Sequence, residues 1–258
     1  MIHLKKFILG ILVLLVAGIL AACGTGEANS SEKVDKKVLK MATSADFPPF
    51  ESYDSEGKFI GFDVELAQAI ADELGYELQI EDMDFDGLIG SLQAKRVDMV
   101  LAGMSATEER RQNVDFSASY HSSGEMFISK QEDKFQDLAS LEGKIVGVQL
   151  GTIQEEGADL LAEEYGFEVK KVDSASILIQ ELSSNRIDVA YMDKTVATGY
   201  INSQGLVGFD DPTTSSPGMA IAFPKGSELV DEVDAILKKF EEDGTLQELK
   251  DKWLSDYE

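Results

Sequence analysis

Four places in this chain carry groups able to grip a small charged molecule. Arg110 offers a planar guanidinium fork that holds a carboxylate through two parallel hydrogen bonds. Gly151-Thr152-Ile153 reads as a turn opening into a helix, so the backbone N–H groups of Thr152 and Ile153 form a candidate anion site. Asp193 closes the run Val189-Ala190-Tyr191-Met192 and can hold an ammonium group. Ser105 donates or accepts and suits either partner. Each has a plainer reading. Arg110 lies just after Thr107, a natural helix cap, and fits a solvated arginine equally well. Asp193 fits an N-cap for a helix starting at Lys194, and Gly151-Thr152 fits an ordinary turn. Jointly they supply a cation, hydrogen-bond donors and an anion, which is what a molecule bearing both a carboxylate and an ammonium requires.

Other chemistries find less support. Cys23 is the one cysteine, and beyond the first 22 residues His121 is the one histidine. No Gly-x-Ser-x-Gly elbow accompanies that histidine. Gly143-Lys144 is followed by Ile145 where a phosphate loop needs Ser or Thr. Asp82-Met83-Asp84-Phe85-Asp86-Gly87 begins like a calcium loop, but Gln93 stands where the bidentate Glu belongs. The segment continues as a helix with Asp86 as its expected N-cap. No catalytic residue, metal or cofactor is expected. Carboxylate chemistry on the same fold stays open as an alternative.

The elements that must position these groups are written twice. Gly75-Tyr76-Glu77-Leu78, Leu88-Ile89, Leu92 and Arg96-Val97-Asp98-Met99 recur as Gly166-Phe167-Glu168-Val169, Leu178-Ile179, Leu182 and Arg186-Ile187-Asp188-Val189. Each copy reads strand, helix, strand, with a further helix before it. Leu88/Leu92 and Leu178/Leu182 give each inner helix a buried stripe. Asp63 precedes the first long helix and is expected to cap it. Alternating strands and helices predict α/β architecture with mostly parallel sheets, and two equivalent units predict two lobes. Ligands of such sheets bind beyond the carboxyl ends of the strands. Here those ends are Ala102-Gly103 in one copy and Met192-Asp193 in the other, so the site is expected between the lobes.

The N-terminus and the charge set the location. Lys5-Lys6, an uncharged run from Phe7 to Leu20 and then Leu20-Ala21-Ala22-Cys23 read as a secretory signal ending in a lipobox. Residues 1–22 would be removed and Cys23 would carry a lipid. Residues 23–37, small and polar, would tether the fold to the membrane. The run is too short for a comfortable membrane span, and no longer one follows. The protein is therefore expected outside the cytoplasm, on the outer face of the cell membrane. A net charge of −25 argues against nucleic acid as a partner.

With these residues in hand, the chain resembles the polar amino-acid binding proteins of ABC importers, bacterial extracellular solute-binding proteins of family 3. The resemblance is carried by Asp46-Phe47-Pro48-Pro49-Phe50-Glu51, Gly61-Phe62-Asp63-Val64, Asp84-Phe85-Asp86, the run from Ala102 to Arg110, and Asp115-Phe116-Ser117. In the second half it rests on the run from Gly147 to Thr152, Asp193, Ala222-Phe223-Pro224-Lys225-Gly226 and Asp243-Gly244-Thr245. It implies the two-lobed type II periplasmic-binding-protein fold with two crossover strands as a hinge. Lobe one would take residues 38–119 plus 221–258, lobe two residues 125–215, and the hinge residues 120–124 and 216–220.

The resemblance also implies site roles. Arg110 and Ser105 from lobe one, and Thr152 and Asp193 from lobe two, would hold an amino-acid head between them. Phe47 and Phe85 would flank its side chain, with Gln149 and Ser44 at the far end. Relatives that bind cationic side chains often carry an acid at the Ser44 position, and here it is Ser. The expected ligand is a polar amino acid, arginine or lysine ahead of glutamine and cystine. The expected partners are that ligand, an ABC permease and the membrane through the lipid anchor, with the protein itself a monomer. A cyclohexadienyl dehydratase-like enzyme and a ligand-sensing receptor remain the alternatives.

Overall fold

The computed structural model describes residues 37–133, 135–214 and 216–257. The signal, Cys23 and nearly all of the tether lie outside the described residues. Two five-stranded sheets organise the rest. The first contains β1 (Val38–Thr43), β4 (Glu77–Asp82), β5 (Met99–Val100), β6 (Val114–His121) and β12 (Met219–Pro224), in the order β4-β1-β5-β12-β6. The second contains β7 (Glu125–Ser129), β8 (Ile145–Gln149), β9 (Glu168–Val172), β10 (Val189–Asp193) and β11 (Val207–Asp210), in the order β9-β8-β10-β7-β11. A short hairpin, β2 (Ser52–Tyr53) with β3 (Phe59–Ile60), follows β1.

The expected mostly parallel sheets are in fact mixed. β4, β1 and β5 run parallel, as do β9, β8 and β10, but β12 and β7 enter antiparallel. The cause is connectivity. β7 follows β6 from the first sheet, and β12 follows β11 from the second, so each arrives in its new sheet reversed. The two linking segments run together: Met219 pairs with His121 in the β12–β6 ladder.

The helices are α1 (Phe62–Leu74), α2 (Leu88–Gln93), α3 (Glu108–Arg111), α4 (Ile153–Tyr165), α5 (Ala175–Ser183), α6 (Lys194–Gln204), α7 (Leu229–Asp243) and α8 (Thr245–Trp253). α1 buries Leu66, Ala67, Ile70 and Ala71, an i, i+1, i+4, i+5 stripe facing the sheet. One core joins α1 and α7 of lobe one to α5 and α6 of lobe two, and smaller cores lie under α2 and α4. No helix among the described residues is long and apolar enough to cross a membrane.

The internal repeat is real in three dimensions and extends to single hydrogen bonds. Asp98 accepts from the Lys40 N–H at 2.8 Å, and Asp188 accepts from the Ile145 N–H at 2.8 Å. After α2 and α5 the chain turns at Lys95 (φ 54°) and Asn185 (φ 56°), the two non-glycine residues with positive φ among the described residues. α1 and α4 both end on a left-handed glycine, Gly75 and Gly166.

Two expected caps differ. Gly61 holds the N-cap position of α1, and Asp63 lies inside the first turn. Its Oδ2 accepts instead from the Gly103 N–H and the Tyr120 hydroxyl, each at 2.8 Å. The helix starts earlier than the charge pattern suggests because the Gly61 N-cap conformation (φ 133°) suits no side chain and lets Phe62 enter the core. Asp86 does not cap α2 either; it sits in a 3₁₀ turn (Phe85–Gly87), and Gly87 precedes the helix without a side-chain cap.

Candidate functional site

The carboxyl ends of β1 and β5 face those of β8 and β10 across a partly open cavity. Its walls bring together Ser44, Phe47, Phe85, Ala102, Gly103, Ser105 and Arg110 from lobe one with Gln149, Thr152, Ile153 and Asp193 from lobe two. Those are all of the side chains singled out in the sequence. Asp46, Glu51, Gln154 and Met219 also line it.

Arg110 is no solvated arginine. It is 8 % exposed, on α3, and its own N–H is capped by Thr107 Oγ1 at 3.2 Å. The guanidinium lies 5.4 Å from the centre of the Phe85 ring. Nη1 donates to the Ser105 carbonyl at 2.8 Å, and Nη2 crosses the cleft to the Gly151 carbonyl at 2.9 Å. Two backbone oxygens thus fix the fork while its other N–H groups stay available. Burial pulls its pKa down and Glu156 and Glu109 partly restore it; a guanidinium stays charged throughout. The lobes meet closely here. Gly151 has φ +75°, and a Cβ on it would come within 2.9 Å of the Asp86 Cα.

Thr152 caps α4. Its Oγ1 accepts from the Glu155 N–H at 3.2 Å and donates to the Gln149 carbonyl at 2.7 Å. Thr152 and Ile153, at the start of α4, thus line the same cavity as Arg110, where the N–H groups of a helix start favour an anion.

Asp193 takes the cap reading and also lines the cavity. It ends β10 and also caps α6, with Oδ1 accepting from Thr195 N–H at 2.8 Å and Val196 N–H at 3.2 Å. The cap orients the carboxylate on the cavity wall. Burial pushes its pKa up to about 6, against the hydrogen bonds that favour the ion.

Lobe one adds a buried acid pair. Glu51 is fully buried, in a tight loop where Phe47 and Glu51 bond each other's backbones at 2.9 and 3.2 Å. Among the described residues, no N–H or hydroxyl donates to either Glu51 carboxyl oxygen or to Asp63 Oδ1. Burial, then the neighbouring Asp63, hold Glu51 well above the usual carboxylate range; burial holds Asp63 up to about 6. Two such groups share a proton rather than ionise together. Asp46 reaches across the cleft. Its Oδ2 accepts from the Ser176 N–H at 3.2 Å, at the start of α5, and its Oδ1 accepts from the Ser44 hydroxyl at 3.2 Å. Counting Asp46, Glu51 and Asp193 against Arg110, the cavity carries more acid than base.

Sequence reasoning named no role for Glu51, Gln154 or Met219. Glu51 was visible only as part of a motif. Gln154 was signalled by the repeat, since it falls 91 residues after Asp63 at the same point of the equivalent helix. Met219 carried no signal.

Residues 39–256 match the family of bacterial extracellular solute-binding proteins, family 3. This chain belongs to that family. Among similar members, the arginine-binding extracellular protein of Bacillus subtilis (strain 168) is 45 % identical over 256 residues, spanning 98 % of this chain and 99 % of that one. An ancestral arginine-binding protein solved with arginine superposes with a TM-score of 0.80 at 39 % identity, covering 86 % of this chain and all of that one. An ancestral arginine-binding protein solved with glutamine superposes with a TM-score of 0.80 at 40 % identity, covering 84 % of this chain and 98 % of that one. Family members of this kind are two-lobed α/β proteins, and the mixed sheets flanked by helices described above conform to that plan.

Proposed function

We propose that this protein is the extracytoplasmic binding component of an ABC importer and captures a cationic amino acid, arginine foremost, between its lobes. One observation carries the reading: a single cavity sets Arg110 and the start of α4 against Asp193, with the carboxyl of Glu51, paired with Asp63, and the carboxylate of Asp46 in the same walls. Arg110 and the α4 N–H groups take the carboxylate of the ligand. Asp193 takes its ammonium. Phe47 and Phe85 sandwich the side chain, and Glu51 and Asp46 meet a cationic tip. The acid that relatives carry at the Ser44 position is thereby supplied from neighbouring positions. The arginine-binding relatives support this choice, and the glutamine-bound structure names the competitor.

Binding calorimetry against the twenty amino acids, ornithine and cystine tests it. Arginine or lysine should bind tightest. Tight glutamine or cystine binding with no cationic amino acid bound would overturn the ligand and leave the receptor. The protein binds without turnover, so neither prephenate nor arogenate should be consumed. Anchoring runs through a lipid on Cys23, and Cys23→Ala should release the protein from membrane fractions. The two linking segments act as a hinge, and small-angle scattering should show a smaller radius of gyration with arginine.

A further inference from the structure

Behind the wall of lobe two lies a carboxyl that the ligand reading does not use. Glu125 opens β7, the strand by which the chain enters the second sheet, and is 2 % exposed. Its Oε2 accepts a hydrogen bond from Gln154 Nε2, and its Oε1 has no partner among the described residues. Gln154 is the second residue of α4, is buried, and lines the cavity. An amide has one donor end and one acceptor end. With its nitrogen given to Glu125, Gln154 is left with its oxygen to offer the cavity. An ionised Glu125 can only accept, so it fixes that orientation. A protonated Glu125 can donate to the amide oxygen instead, and the amide then turns its NH₂ toward the ligand.

The groups around Glu125 make both states accessible. Asp193 is its register partner on β10. Tyr191, two residues earlier on β10, donates its hydroxyl to Asp211 at 2.5 Å, and the Asp211 N–H donates to the Glu125 carbonyl at 2.9 Å. From the start of α6, the Lys194 N–H bonds the Gly124 carbonyl, but its ammonium is turned away to Asp210 at 2.7 Å. Acids therefore face Glu125 from β10 and from the segment after β11, and among the described residues no cation answers them. Burial first, then the Asp193 charge, push Glu125 up to about 8, against the pull of the Gln154 bond.

We propose that Glu125 is a positioning residue: through the Gln154 amide it decides whether the cavity wall offers an acceptor or a donor, and so makes capture of a cationic amino acid weaken on acidification. The inference rests on the cavity reading given above. A bound cation favours the ionised Glu125 with the Gln154 oxygen facing inward, and binding near neutral pH therefore releases a proton. Asp193 titrates lower and contributes below about pH 6.

The test uses L-arginine and two readouts. The wild-type affinity, measured by calorimetry from pH 6.5 to 8.5, should tighten roughly three- to ten-fold, as loss of one proton from a shifted group allows. Glu125→Gln, which can bond Gln154 in either sense at any pH, should flatten that slope. On a Gln154→Ala background, Glu125→Gln should change nothing further. In ligand-free protein the Gln154 side-chain amide resonances, identified by their loss in Gln154→Ala, should titrate with a midpoint near pH 8 and stand still in Glu125→Gln. An unchanged slope in Glu125→Gln, or an amide that ignores pH in the wild type, overturns the proposal. If the wild type binds no arginine, the cavity reading falls, while the amide titration still decides whether Glu125 sets Gln154.

Discussion

The two lobes are the same unit folded twice, and they differ where they face the cavity. Far from it they agree to the hydrogen bond: Asp98 and Asp188 hold equivalent strand starts, and Lys95 and Asn185 make the same left-handed turn. At the cavity the chemistry is exchanged. In lobe one the acid sits on the helix, at Asp63, and the matching position beyond β5 is Gly103, whose N–H the acid binds at 2.8 Å. In lobe two the strand end carries the acid, Asp193, and the helix carries an amide, Gln154. The shared part is scaffold, and the exchanged part lines the cavity with unlike groups from the two lobes.

The comparison breaks first if Arg110 is dispensable. Arg110→Ala should weaken every amino-acid ligand together by about 2–5 kcal/mol, roughly 30-fold to several thousand-fold in affinity. Calorimetry across several ligands checks this, and a loss confined to one ligand would assign Arg110 to side-chain recognition. Asp193→Asn separates the two duties of that residue. Asn caps a helix as well as Asp does, so thermal stability should hardly move, while affinity should fall by about 1.5–3 kcal/mol with the charge.

The scaffold half predicts the opposite pattern. Asp98→Ala and Asp188→Ala should each lower stability by about 1 kcal/mol, with similar values in both lobes, and leave arginine affinity within two-fold or so. Urea unfolding beside calorimetry measures both. Asp46→Ala, in the cavity wall and not in the scaffold, removes one bond across the cleft together with an acid placed at the ligand's cationic tip, and should speed release of arginine by at least roughly three- to ten-fold, about 0.5–1.5 kcal/mol; stopped-flow dissociation reads it.

The acid pair and its lobe-two counterparts give a pH signature. Asp63 and Asp193 are held up to about 6 and Glu125 to about 8, so the folded protein keeps protons that the unfolded chain has lost. Stability of the ligand-free protein should therefore fall as pH rises through this range. His121, held down to about 4 by burial, opposes the trend below its ordinary 6.5, so the fall is clearest from pH 6.5 to 8.5. Arginine supplies the missing cation, and its stabilising effect should be larger at pH 8 than at pH 6. Melting temperatures with and without arginine check both signs.

Much of this was legible in the sequence, for physical reasons. The repeat survives as sequence because strand, helix and turn positions such as Leu88/Leu92 and Leu178/Leu182 must pack in both lobes. Arg110, Thr152 and Asp193 were legible because few residue types grip a carboxylate or an ammonium. What escaped depends on contacts far apart in the chain. The orientation of the two crossing strands follows from which sheet each leaves, which no local pattern records. Asp63 looked like a helix cap because an acid near a helix start usually is one; its partners, Gly103 and Tyr120, lie some 40 and 57 residues away. Glu51 reads as an ordinary acid until the fold buries it against Asp63.

The central claim is that one amino acid is held head-first between unlike lobes, and a crystal structure with saturating L-arginine tests it most directly. The carboxylate of arginine should lie on the Arg110 fork and the first N–H groups of α4, its ammonium on Asp193, and its guanidinium between Phe47 and Phe85 toward Glu51 and Asp46. Arginine seated against one lobe alone, or reversed with its guanidinium on Asp193, would contradict the account.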